Sequence, residues 1–375
     1  MEVPVKFRPQ FLKRSGRVVL LLMSSVGVVI AQKLPPPTRM WSVGPLAKSE
    51  PVMGIAFGAK GATVTAPHVD SQTGSIFAAT RSVVFAGDRI VLASMVGMRK
   101  VEGAQVPEQV YQLLSLDTKT GEVKNAREIY AFGSLEVFAT NDKHVLVSGR
   151  SVLRLTPDLK DDGSFDYHAT GHKFGRVQNV SPDGSTLGNE TSPGFELVDS
   201  RTLKATQLTA SPSVDTSVSS RGFVTDNVRW IRDYPKDLGF VTYTDATGEH
   251  LLYHSKCGGR PQFLSNDLVL EPGCKSPLIV DTRGNLVRTL SVKGDFSFAG
   301  VSQDSKRFAL QVAKFSGMHS IKQERFIIYS VDTGEPIAEV TPEELAEGQS
   351  WTAFSSDGSM FVVGSPLKLT LYRLP

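Results

Sequence analysis

The chain is poor in cysteine and tryptophan, and it has no long apolar run and no long stretch of helical periodicity. Its 375 residues hold two cysteines and three tryptophans. Two thiols allow one disulfide at most. The longest apolar stretch, Val18 to Ala31, is interrupted by Ser24, Ser25 and Gly27. Its fourteen residues are too few to cross a bilayer core of about 30 Å comfortably. Catalytic signatures are missing as well. No Gly-x-Ser-x-Gly elbow, phosphate-cradling loop or dinucleotide fingerprint occurs.

What is present begins with a basic N-terminus. Lys6, Arg8, Lys13, Arg14 and Arg17 precede the short apolar stretch, and Val29-Ile30-Ala31 offers the side chains a signal peptidase accepts. Residues 1–31 therefore read as a secretory signal peptide, with an uncleaved anchor as the alternative. No cysteine near the cleavage point supports a lipid anchor. The expected location is the periplasm or the extracellular space. Removing this segment removes five basic side chains and Glu2, which takes the formal charge from +3 to −1. The mature chain then has no global charge to draw nucleic acid or an anionic membrane. Residues 32–52, with Pro35-Pro36-Pro37 near their head, read as an extended Pro-rich linker.

Residues 53–375 repeat one pattern: a strand end, a polar turn led by Asp, and a second strand. The turns hold Asp88, Asp142, Asp183, Asp237, Asp267, Asp304 and Asp357, and each reads as a β-hairpin. Their spacing averages about 45 residues, the period of four-stranded propeller blades. A second Asp turn follows the first at Asp117, Asp199, Asp281 and Asp332, with a worn copy at Asp158. The pattern predicts an all-β chain, a β-propeller of seven four-stranded blades. The fourth repeat, FVTYT running through Asp245 into HLLYH, is cramped, which leaves six or eight blades open. The one short helical candidate is Thr341 to Gly348.

The strand-Asp-x-x-Thr-Gly turn and the Ser-Pro-Asp-Gly hairpin resemble bacterial exported WD-like, YVTN and TolB-type propeller repeats, over about residues 80–375. That resemblance implies a fold and no activity. The chain lacks the Trp-Asp dipeptide and the Gly-His of true WD repeats, so no partner role of those proteins transfers.

Candidate chemistry is sparse. His250 and His254 lie in a strand pattern, about 13 Å apart over four residues, too far to share one ion. His168 and His172 lack helical periodicity, and the acidic run from Asp158 lacks acceptors at the positions a calcium loop needs. Ser365 and Lys368 are separated by Pro366, which blocks the helix that a Ser-x-x-Lys pair requires. No metal site and no cofactor are expected. The sequence favours a monomeric binding or scaffolding module for a protein or peptide. The alternative is a propeller hydrolase, lactonase or lyase whose residues converge from several blades.

Three expectations concern geometry. Blade 7 has only three strands of its own, so a segment within 53–80 should close the ring. Centring one hairpin on Ser265-Asn266 places Cys257 opposite Cys274, a separation that suits a disulfide in an oxidising compartment, with two free thiols as the alternative. Insertions at 95–109 and 312–324 should overhang one channel mouth, making Arg99, Lys100, Lys314, His319 and Lys322 the candidate ligand-binding residues.

Overall fold

The structure is a computed structural model. It describes residues 34–43, 64–65, 80–99, 108–131, 135–149, 151–165, 175–191, 194–209, 215–226, 239–255, 260–271, 276–316, 320–342, 350–364 and 368–375. The described residues form strands and turns with no helix; residues 343–348 of the helical candidate lie outside them. No helix among them is long and apolar enough to cross a membrane.

Seven antiparallel sheets follow one another along the chain, giving a seven-bladed β-propeller. Strands are lettered a to d from the inside of each blade outward. Blade 1 is Thr80–Ala86, Arg89–Arg99, Glu108–Asp117 and Val123–Ala131. Blade 2 is Glu136–Ala139, Val145–Ser148, Val152–Leu155 and Asp161–Phe165. Blade 3 is Gly175–Val180, Thr186–Thr191, Gly194–Asp199 and Ala205–Thr209. Blade 4 is Asp215–Val218, Gly222–Asp226, Gly239–Asp245 and Gly248–Ser255. Blade 5 is Gln262–Phe263, Leu268–Glu271, Leu278–Asp281 and Leu286–Thr289. Blade 6 is Asp295–Val301, Arg307–Ser316, Ser320–Ser330 and Pro336–Val340.

Blade 7 takes strands a to c from Trp351–Phe354, Met360–Gly364 and Leu369–Arg373. Its strand d is Thr38–Val43, which pairs antiparallel with Leu369–Arg373. The closing strand thus comes from the segment read as a linker, not from 53–80. The physical cause is Trp41: its ring packs on Gly121 of blade 1 and its Nε1 donates to the Thr118 carbonyl at 2.8 Å. The 53–80 window does supply a strand, but to blade 1, where Val64–Thr65 pairs with Met98 and Arg99 beyond the end of strand a.

The core lies between blades, because each sheet is apolar on both faces. Ile90, Leu92, Leu114 and Leu116 of blade 1 pack with Val362, Leu369 and Leu371 of blade 7. Phe326 and Ile328 of blade 6 pack with Phe361 and Val363 of the same blade 7 from the other side. Trp351 opens strand a of blade 7 and packs into the first of these clusters, a core role as expected.

One repeat was misaligned. Blade 4 has no Asp in its a–b turn, which is the shortened Ser219-Ser220-Arg221 connection. FVTYT is its strand c, not its strand b, and Asp245 correctly ends that strand. Asp237, taken as the landmark, lies outside the described residues.

Candidate functional site

Two kinds of Asp turn build one face of the propeller. At the a–b turns a Ser or Thr hydroxyl donates to the Asp two residues on: Thr140 to Asp142 and Ser181 to Asp183 at 2.6 Å, Ser302 to Asp304 at 2.6 Å, Ser355 to Asp357 at 2.7 Å. At the c–d turns the Asp accepts backbone N–H groups, as Asp117 does from Lys119 and Thr120 and Asp281 from Arg283 and Asn285. The Lys119 N–H holds the Asp117 carboxyl below its ordinary range against the opposing pull of burial. The a–b turns also meet across the axis. The Asn266 amide of blade 5 reaches Asp183 of blade 3 at 3.2 Å, and the Gln303 side chain of blade 6 abuts Gly184 of blade 3. Blades 3 and 6 stand on opposite sides of the ring, so these turns bridge this mouth of the channel.

A second device ties neighbouring blades on the same face. A side-chain donor of one blade reaches a carbonyl in the c–d turn of the next. Trp41 of blade 7 donates to Thr118 of blade 1, and Arg127 of blade 1 to Leu159 of blade 2 at 3.0 Å. Arg154 of blade 2 donates to Ser200 of blade 3 at 3.1 Å. Arg288 of blade 5 donates to Thr333 at 2.5 Å and to Asp332 of blade 6. Arg307 of blade 6 donates to the Pro375 carbonyl at 2.9 Å, where the c–d turn of blade 7 would stand. Arg154 is the most elaborate: its side chain is 5% exposed and also pairs with Asp142 at 2.5 Å and Asp162 at 2.8 Å. Burial raises the Asp142 carboxyl, but hydrogen bonds from Arg154 and Thr140 outweigh it and bring the pKa to about 2. Asp161 and Asp162, read as part of an acidic loop, are thereby partners of Arg127 and Arg154, and they lie in strand d.

The stitch is missing on both sides of blade 4 among the described residues. At the blade 4–5 seam its place is a cleft of about 840 Å³, lined by Arg221, Tyr243, Asp245, His250 and Leu251 of blade 4 and by Asp267, Asp281, Thr282 and Arg283 of blade 5. The floor is closed by the c–d turn of blade 5, where Gly284, at φ +84°, lies directly against the Leu252 carbonyl. Arg221 pairs with Asp267 at 2.5 Å, but both side chains are mostly exposed. Asp245 accepts from the Thr247 hydroxyl and N–H, which lower its pKa. His250 contacts the Thr247 hydroxyl at 2.8 Å. Burial pushes the Tyr243 phenol up, with Asp245 adding to it. Asp245 and Asp281 thus act as turn formers, while Asp267 and His250 also line the cleft.

The opposite face carries the predicted ligand residues. The excursions expected there as loops are strand where they are described, at residues 95–99, 108–109, 312–316 and 320–324. Strands b and c of blade 1 run 11 and 10 residues, and those of blade 6 run 10 and 11, against four each in blade 2. At about 3.3 Å per residue the difference makes two ribbons on the order of 20 Å taller than the neighbouring blade. Arg99 ends strand b of blade 1, paired with Glu108 on one side and Val64 on the other. Lys314 is exposed on strand b of blade 6, opposite Gln323, and Lys322 lies in strand c. Lys100 and His319 fall outside the described residues. At the base of the blade 6 ribbon, Glu324 is 3% exposed and accepts from Ser350 at 2.7 Å and from Gln311, which pins the ribbon to blade 7.

His250 and His254 lie on strand d of blade 4, as read, while His168, His172 and Ser365 are outside the described residues. Among the described residues no group of three or more His, Cys, Asp or Glu is placed to hold a metal ion. Both cysteines also lie outside. The nearest ladder pairs Gln262 with Leu270 and Phe263 with Val269, one residue away from the register that set Cys257 opposite Cys274. The turn is longer by one residue because the Leu264 N–H bonds to the Leu268 carbonyl.

No family profile matches the sequence, and no curated protein matches it. Among solved structures, a chain from the "Crystal Structure of Mitotic Checkpoint Complex" is similar, with a TM-score of 0.51 at 11% identity, covering 100% of this chain and 99% of that one. BamB from Moraxella catarrhalis matches with a TM-score of 0.38 at 11% identity over 78% and 82%, too loosely to argue from. At such identity the first likeness speaks for the fold alone.

Proposed function

We propose that the chain is an exported, monomeric β-propeller that binds or scaffolds a protein or peptide partner in the cell envelope or outside the cell. The partner is held on the b–c face, between the ribbons of blades 1 and 6 and over blade 7. The observation that carries this reading is the pair of overlong ribbons flanking the blade that closes the ring. Hydrogen-bonded ribbons give a partner rigid walls, and ordering them costs nothing at the moment of binding. Basic side chains on the ribbons favour an anionic or acidic segment.

The opposite mouth is bridged by its own turns, so a segment entering the channel does so from the ribbon side. Replacing Arg99, Lys100, Lys314 and Lys322 by Ser should deplete the partner recovered with the native chain from the envelope fraction. Recovery of the same partner at equal stability would remove this face. Export has its own test. The N-terminus of the native protein should begin after Ala31; a chain that retains residues 1–31 in the cytoplasm would overturn it.

The Cys257–Cys274 disulfide is retained as part of the proposal on the grounds of compartment and number alone, since the register no longer argues for it. Alkylation of the denatured, unreduced chain should label neither residue.

A further inference from the structure

The seam between blades 4 and 5 belongs to a different face from the ribbons, and its geometry points to a second site. In four seams a side-chain donor, three times an arginine, reaches a carbonyl in the next blade's c–d turn. At the blade 6–7 seam, where strand d is Thr38–Val43, Arg307 reaches the Pro375 carbonyl instead. The acceptor directly follows the Asp that ends strand c in two of the four, Thr118 after Asp117 and Ser200 after Asp199. In blade 6 Thr333 lies three residues beyond Ser330, which ends strand c there. The counterpart in blade 5 is Thr282, after Asp281. No side-chain donor of the described residues reaches its carbonyl, and Thr282 lines the cleft.

We infer that the blade 4–5 cleft receives an arginine side chain presented by a partner protein, which makes from outside the stitch that the other seams make from within. The observations agree on that occupant. An arginine fork matches a carbonyl beside a carboxylate, the arrangement Arg154 already meets at Ser200 and Asp142. Asp267 supplies the exposed carboxylate, and its present partner Arg221 is 63% exposed and free to swing into solvent. Leu251, 53% exposed, gives the aliphatic stem an apolar wall. Three carboxylates, Asp245, Asp267 and Asp281, face two arginines, Arg221 and Arg283, across the cleft. Arg283 is the repulsive element, so the incoming guanidinium lies on the Asp267 side.

The reason no internal donor fills the site is local. His250, opposite Tyr243 on strand d of blade 4, is the counterpart of Arg288, opposite Ile279 on strand d of blade 5. Tyr243 and Ile279 each stand two places before the Asp that ends strand c. Histidine occupies the place an arginine takes next door, and its ring is engaged by the Thr247 hydroxyl of its own blade at 2.8 Å.

The test uses the full mature chain and an acetylated, amidated tri-arginine peptide as probe, followed by calorimetric titration at low salt. Wild type should bind it saturably and ignore a tri-glutamate peptide. Asp267→Asn should weaken binding about fivefold, the effect of losing one exposed ion pair. His250→Arg, which supplies the stitch in cis, should abolish probe binding and raise the melting temperature. Both positions are exposed, so folding of the variants is checked by their cooperative melts. The quadruple ribbon variant should bind the probe as wild type does, which separates this site from the ribbon face. Absence of saturable binding, or equal affinity in wild type, Asp267→Asn and His250→Arg, would overturn the inference.

Discussion

The seam between blades 2 and 3 and the seam between blades 4 and 5 each meet a c–d turn led by an Asp, Asp199 in one and Asp281 in the other, yet one is sealed and the other open. In the first, Arg154 sits 5% exposed among Asp142, Asp162 and the Ser200 carbonyl. In the second, Arg221 is 63% exposed and meets only Asp267, itself 60% exposed. The difference is one of position. Arg154 comes from strand c, inside the blade, whereas Arg221 comes from the shortened a–b turn at the surface. A buried cation with several acceptors fixes two blades together; an exposed pair leaves room beside it.

The sharpest way to break this comparison is to remove each arginine. Arg154→Ala should cost about 3 kcal/mol in chemical denaturation, because two carboxylates and a carbonyl lose their donor. An unchanged midpoint would mean that the stitch is decoration.

Gly184→Ala should come next, at about 2 kcal/mol. Gly184 has φ +71°, and a β-carbon there would lie 2.8 Å from the Asn141 backbone nitrogen and 2.7 Å from Gln303 Nε2. The substitution tests whether the turn face is closed across the axis, and a neutral result would argue for an open mouth.

Acid should affect the sealed seam through Asp142. Its folded pKa of about 2 lies below the ordinary 3.8, so the carboxylate contributes stability that is complete above the ordinary value. That contribution is lost as pH falls toward about 2. Asp142→Asn should flatten the fall in melting temperature across this window; a slope identical to wild type would contradict the pairing. The smallest effect belongs to Arg221→Ala, expected within about 0.5 kcal/mol of wild type.

How much of this was legible depended on whether a feature is local. The Asp turns are written in consecutive residues, and they announced the hairpins, the blade count and the all-β class. Trp351 could be placed because its strand precedes a clear turn. Features set by contacts between blades were not legible. Arg154 and Arg288 look like ordinary strand residues until the next blade supplies their acceptors. The closing strand carries a Pro-rich flank that reads as linker, and only the docking of Trp41 on Gly121 makes it a strand. Blade 4 hid its start because its a–b turn dropped the Asp that marks the others. The cleft was invisible for the same reason, since it consists of a donor that is absent. On the ribbon face the length of the insertions pointed to Arg99 and Lys314, and the described residues there extend the b–c ladders of blades 1 and 6 where loops were expected.

The contrast between sealed and open seams is tested most directly by hydrogen exchange on the full chain without partner. Amides of the blade 2 c–d hairpin, Val152–Leu155 and Asp161–Phe165, should exchange markedly more slowly than those of the blade 4 hairpin, Gly239–Asp245 and Gly248–Ser255. Equal protection in the two hairpins, or slower exchange in blade 4, would contradict the account.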